Sequence, residues 1–145
     1  MRIWLSIVLL LLIATCSVAI AGPMAPAIAD VKVFALNDDG TIRPYTQDSI
    51  ASTLLLGVKI SSPSGTSMSL PLTFTGVADN SAAYHEANVK PPPPRTVRVT
   101  RKVRLASGEQ WVYLMIEMDC YHRMAVQLGK AKKPLDTSLL PGSCF

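Results

Sequence analysis

The sequence predicts a mainly β protein, built as a small antiparallel sheet, a sandwich or a partial barrel, with at most one short helix. Three observations predict it. Apolar and polar residues alternate with a period of two over several stretches, above all residues 68–75 and 96–105. Clusters of Gly, Pro, Ser, Asn and Asp punctuate these stretches at fairly regular intervals. After residue 21 no segment sustains a helical period.

The first 21 residues read as an address rather than as part of that sheet. Arg2 is the only charge before Asp30, residues 3–14 are apolar except for Ser6, and Ala19-Ile20-Ala21 offers small residues at a cleavage site before Gly22-Pro23. That pattern is a secretory signal peptide over residues 1–21. Two other readings stay open. An uncleaved anchor would reach about 28 Å, nearly a bilayer core, and Ile13-Ala14-Thr15-Cys16 resembles a lipoprotein cleavage box, with Thr15 in place of the usual Gly, Ala or Ser. Removal of the signal leaves residues 22–145 as a single domain, 124 of the 145 residues. A chain of that length can bury about two thirds of its unfolded surface in one core. The expected location is the periplasm, the outer membrane or the medium.

Three cysteines become two when Cys16 leaves with the signal. In an oxidising space Cys120 and Cys144 then form one disulfide, which fastens the C-terminal tail. The competing reading, two free thiols or a metal pair, lacks a third or fourth ligand.

Along the mature chain, residues 22–29 with Pro23 and Pro26 form an extended leader, and residues 31–36 are the first strand. Asn37-Asp38-Asp39-Gly40 supplies a turn that reverses the chain into residues 41–45. Residues 48–53 are a turn or brief helix before a strand over 54–60. Ser62-Pro63-Ser64-Gly65 is the next reversal. In the strand that follows, Met68, Leu70, Leu72 and Phe74 share one face, and Pro71, which cannot donate to a ladder, places it at an edge or in an irregular stretch. A helix has room only within residues 78–90. Residues 90–95, Lys-Pro-Pro-Pro-Pro-Arg, form a stiff extended loop. Val97, Val99, Val103 and Leu105 then alternate with polar residues, interrupted only by Arg101 on the apolar side. Ala106-Ser107-Gly108-Glu109 turns the chain into a strand over 110–118, which is apolar on both faces and so expected at the centre of the sheet. A further strand over 122–128 has Met124 and Val126 inward. The remainder is a lysine-rich, loop-like tail.

Charge is the most uneven property of the chain. Net charge is +4 overall, yet residues 90–104 contain six bases and no acid. Such a stripe draws anionic partners: acidic headgroups, sulfated polysaccharide or nucleic acid. Lys90, Arg95, Arg98, Lys102 and Arg104 are therefore the candidate contact residues, with Arg98, Lys102 and Arg104 on one exposed strand face. The competing reading is a solvated face whose charge discourages edge-to-edge aggregation. No aromatic is interleaved, which disfavours a nucleic-acid stacking platform. The proline run matches the loose pattern of a polyproline ligand, but it reads better as an insertion loop.

His85, Glu86 and His122 accompany no metal-binding, nucleophile-elbow or phosphate-cradling motif, so no catalytic residue, metal or cofactor is expected. Asp119, Cys120 and His122 suggest a thiol site only if Cys120 is not bridged. Trp111, Tyr113 and Tyr121 read as core or half-buried sheet residues.

Two segments carry a family resemblance: Tyr45, Asp48, Ser49 and Ile50 leading into a strand, and residues 115–124, in which Asp119-Cys120 is followed by Arg123. Together, over about a third of the chain, they resemble the surface-adhesin protein E family. The region between Pro63 and Pro94 is extra length relative to it. The resemblance implies a compact antiparallel sheet and a non-enzymatic envelope protein that binds host matrix or serum proteins in some members. It also implies a structural Cys120, and it assigns no binding residue. The expectation is an exported interaction protein, adhesin-like, acting through the basic strand. The rival is a periplasmic inhibitor or accessory subunit that inserts the 90–95 loop into a partner. A membrane partner follows only from a lipidated Cys16 or a retained signal.

Overall fold

The computed structural model describes residues 24–46, 53–79, 81, 84, 89–117 and 119–140. The signal segment, residues 48–52, His85, Glu86, Met118, Cys144 and most of the stretch expected to have room for a helix lie outside the described residues.

The chain forms strands β1 (Ala27–Leu36), β2 (Ile42–Pro44), β3 (Thr53–Ala78), β4 (Arg95–Ile116), β5 (Tyr121–Leu128) and β6 (Ala131–Pro134), followed by a 3-10 turn at Thr137–Leu139. They make one antiparallel sheet in the order β2-β1-β3-β5-β6, with β4 on the opposite side of β3. The mainly β, antiparallel class read from the alternation is the one observed. The first turn forms as the residue types dictate. Gly40 sits at φ 83°, and the Asp39 carboxylate accepts from the Thr41 backbone N–H and hydroxyl at 2.9 and 2.7 Å. Those bonds hold the Asp39 carboxyl below its usual range, the hydroxyl contributing most.

Two expected turns are instead the corner of one long ribbon. β3 runs for 26 residues and β4 for 22, paired from Leu54↔Ile116 to Ala78↔Arg95. Straight, β3 would span about 85 Å, far more than the roughly 30 Å diameter of a small domain, so the ribbon has to bend. It bends where the two turn-forming clusters face each other. Ser62 pairs with Gly108 and Ser67 with Ala106, leaving residues 63–66 opposite Ser107 alone. Gly65 and Gly108 have φ of 81° and 92°, the Gly65 N–H donates to Ser107 Oγ at 2.8 Å, and the Thr66 hydroxyl donates to the Pro63 carbonyl at 2.7 Å. The turn chemistry is thus used for a wide bulge that turns a corner without ending either strand.

The corner divides the sheet into a proximal arm (β1, β2 and the adjoining halves of β3 and β4) and a distal arm (the other halves with β5 and β6). Along β4 the buried set switches from Val112, Leu114 and Ile116 in the proximal arm to Val97, Val103 and Leu105 in the distal one. Its face inverts at the corner so that both arms turn apolar side chains inward. Leu56, Val58, Ile60, Leu72, Phe74, Leu114 and Val126 are among the fully or almost fully buried residues of the single core, each stabilising by about 1.5–3 kcal/mol relative to exposure. Arg101, the one charge in the apolar register, reaches the Tyr113 carbonyl at 3.1 Å. Twelve residues of straight strand would hold those positions about 40 Å apart.

Other expectations are corrected. Pro71 lies in the interior strand β3, not at an edge. Its carbonyl accepts from Gly129 N–H at 3.1 Å, so its nitrogen also points to the β5–β6 turn, and no bond to β4 is lost. The 110–118 strand is not central: among the described residues β4 pairs with β3 alone, and its outward side leaves Trp111 36% and Met115 62% exposed. Residues 131–134 are a strand rather than loop; lysines hid it from a hydropathy reading and suit an outer strand. Met124 and Val126 face inward as expected. A bulge on β5, where Arg123 takes φ 53°, lets Tyr121 face inward too.

Candidate partner-binding surface

The outer face of the distal arm gathers the basic residues. Arg98, Lys102 and Arg104 are exposed on β4, at positions about 13 and 6.7 Å apart along the strand. Across the sheet, the register aligns Thr100 with Thr73, Gln127 and Lys132, and Arg98 with Thr75, Ala125 and Pro134. Thr73 and Thr100 share a hydroxyl hydrogen bond of 3.0 Å. The result is a threonine-rich floor with cations on β4 at one side and Lys132 on β6 at the other, three strand spacings or about 14 Å from Thr100. No acidic residue lies in these registers, and Arg98, Lys102, Arg104 and Lys132 form no ion pair with a described residue. Lys132 escaped the sequence reading because only the β3–β5–β6 pairing brings it onto this face.

Arg95 and Lys90 are placed differently from those three. The Arg95 guanidinium donates to Glu117 Oε2 at 2.7 Å and Asp119 Oδ2 at 2.8 Å, with the Asp119 side chain only 5% exposed. These bonds raise the Arg95 pKa further and tie the start of β4 to the segment entering β5. Arg95 is therefore a clamp within the fold. Lys90 is exposed at the start of the extended loop, where Pro92, Pro93 and Pro94 are also exposed.

Beside that clamp, Cys120 is buried, with its Sγ 3.8 Å from His122 Nε2. His122 itself is exposed and lines a shallow cleft with Asp79, Pro94 and Arg123. Tyr121 packs edge-to-face on Phe74 at 5.4 Å and donates its hydroxyl to the Glu117 carbonyl at 3.0 Å. Burial first, then the charges of Asp119 and Glu117, push its phenol up to about 12.

The outer face of the proximal arm is aromatic. Phe34 meets Trp111 and Tyr113 edge-to-face at 5.7 and 5.4 Å, over the space that Gly57 leaves by lacking a side chain. Lys32 lies 5.9 Å from the centre of the Trp111 ring. Of Trp111, Tyr113 and Tyr121, expected as core or half-buried, Tyr121 is buried. Tyr113 and Phe34 are half-buried, whereas Trp111 is exposed at the rim.

No family model, no curated protein and no solved structure matches this chain.

Proposed function

We propose that the protein is an exported, non-enzymatic binding protein of the bacterial envelope, and that it engages an anionic partner through the outer face of the distal arm. One observation carries the reading: Arg98, Lys102, Arg104 and Lys132 stand on a face that holds no acid and offers them no counter-ion among the described residues. Cations left unpaired on one flat face concentrate a positive field, which steers and holds an anionic surface. Export rests on residues 1–21, and the resemblance to the surface-adhesin protein E family points to the same class. A Cys120–Cys144 disulfide belongs to the same proposal.

The test is binding of mature protein to dextran sulfate and to phosphatidylglycerol vesicles over a salt series. Affinity should fall steeply from low to physiological ionic strength, and a Lys102→Glu, Arg104→Glu variant should bind weakly with a flattened salt response. A salt-independent affinity, or full binding by that variant, overturns the assignment. The exposed Pro92, Pro93 and Pro94 favour a second reading, an inhibitor or accessory subunit acting through the 90–95 loop. Shortening that loop should then abolish partner capture while leaving the circular dichroism spectrum unchanged.

A further inference from the structure

The core is open at the corner. Met68 and Leu70 lie in the inward register of β3, opposite Leu105 and Val103, which are 1% and 6% exposed. Yet Met68 is 45% exposed and Leu70 half-buried. The two arms diverge there and leave a groove of about 750 Å³ between the corner bulge, the β5–β6 turn and the chain entering β1. Its walls come chiefly from Met24, Pro26, Pro63, Met68, Leu70 and Leu128, and Lys130 is the only charged residue among the described residues that line it. The volume falls within the range of about 300–1,000 Å³ in which proteins hold small ligands, often at the mouths of curled sheets.

We propose that this groove binds a free fatty acid, with the alkyl chain along the inward face of β3 and the carboxylate at Lys130. The lining selects that chemistry. Among the described residues it holds no aromatic ring to stack a planar ligand, whereas Met and Leu side chains adapt to a flexible chain. Two of the backbone groups around it are already paired: the Gly129 N–H donates to the Pro71 carbonyl and the Gly65 N–H to Ser107. One cation and no acid among the described residues of the rim favour a single anionic head. The site is separate from the threonine-rich outer face, so it goes beyond the envelope-binding reading and stands or falls without it.

The test is titration of mature protein, labelled at its methionine methyls, with dodecanoate below its micelle concentration, followed by NMR. Met68 and Met24 should shift saturably, while Met115 on the exposed proximal face and Met124 in the core stay still. Lys130→Glu should weaken dodecanoate several-fold and leave dodecanol unaffected. Met68→Lys, at an exposed position, should abolish binding of both with the fold intact by circular dichroism. The proposal is overturned by the absence of a saturable shift, by a response at Met115 as large as that at Met68, or by equal effects of Lys130→Glu on dodecanoate and dodecanol.

Discussion

Gly57→Ala is a one-methyl change whose cost can be worked from geometry. A Cβ at position 57 would lie within 2.4 Å of Phe34 Cε2 and 2.8 Å of its Cδ2, where ordinary contact begins near 3.4 Å. The Phe34 ring must retreat by about 1 Å and leave its edge-to-face contacts with Trp111 and Tyr113, each worth about 0.5–1.5 kcal/mol. Alanine returns about 0.5–1 kcal/mol of strand propensity relative to glycine. The balance is a loss of about 1–2 kcal/mol, or roughly 3–6 °C in Tm per kcal/mol for a domain of this size. Denaturant unfolding followed by fluorescence reads it directly, since Trp111 is the one tryptophan after residue 21. The sign should reverse in a Phe34→Ala background, where the added methyl keeps only the 3.2 Å approach to Tyr113 Cε1, which yields by a few tenths of an ångström, and so stabilises. A Gly57→Ala protein as stable as its parent, or one equally destabilised without Phe34, would refute the reasoning.

Arg95→Ala should cost more than any other single substitution in the basic segment, because the buried Asp119 carboxylate loses its guanidinium partner and keeps the Cys120 N–H; chemical denaturation of the alanine series ranks them, and equal effects at Arg95 and Arg98 would count against the clamp. For Tyr121 the native pKa, about 12, lies above the ordinary value of 10.0, so the folded state holds its proton longer. That stabilisation, of order 1–3 kcal/mol, is complete below pH 10 and lost as pH rises toward 12. Tyr121→Phe should flatten this alkaline slope while losing the hydrogen bond to the Glu117 carbonyl. Reduction of the proposed Cys120–Cys144 bridge, which closes a loop of about 25 residues, should lower stability by up to about 3.5 kcal/mol, measured as the shift in denaturant midpoint with and without reductant.

The alternation of Val97, Val99, Val103 and Leu105 made the distal half of β4 legible, and the Asn37 to Gly40 cluster made the first hairpin legible, because both signals are local. The corner was not. Ser62-Pro63-Ser64-Gly65 and Ala106-Ser107-Gly108-Glu109 contain what a tight turn needs, and only their meeting across the β3–β4 pair, at Ser62↔Gly108, turns two reversals into one bulge. The same limit applies to the candidate surface. Arg98, Lys102 and Arg104 could be placed on one face by counting twos, while Lys132 joins them through pairings that no single segment encodes. Arg95 looked equivalent to its neighbours until the fold brought Glu117 and Asp119 beside it. Met68 and Leu70 follow the same period as the buried Leu72 and Phe74, so nothing local distinguishes the groove lining from the sealed core.

The long outer margin of β4, without a strand partner among the described residues, runs beneath Arg98, Lys102 and Arg104, three of the cations offered as ligand contacts. Backbone amides exposed in a row invite a second molecule to zip alongside, and like charges are what hold the copies apart. Replacing these cations with alanine to silence binding would therefore strip the colloidal protection from the protein and confuse lost affinity with precipitation. Swapping them for glutamates keeps the repulsion while inverting its sign, which makes charge reversal the cleaner control.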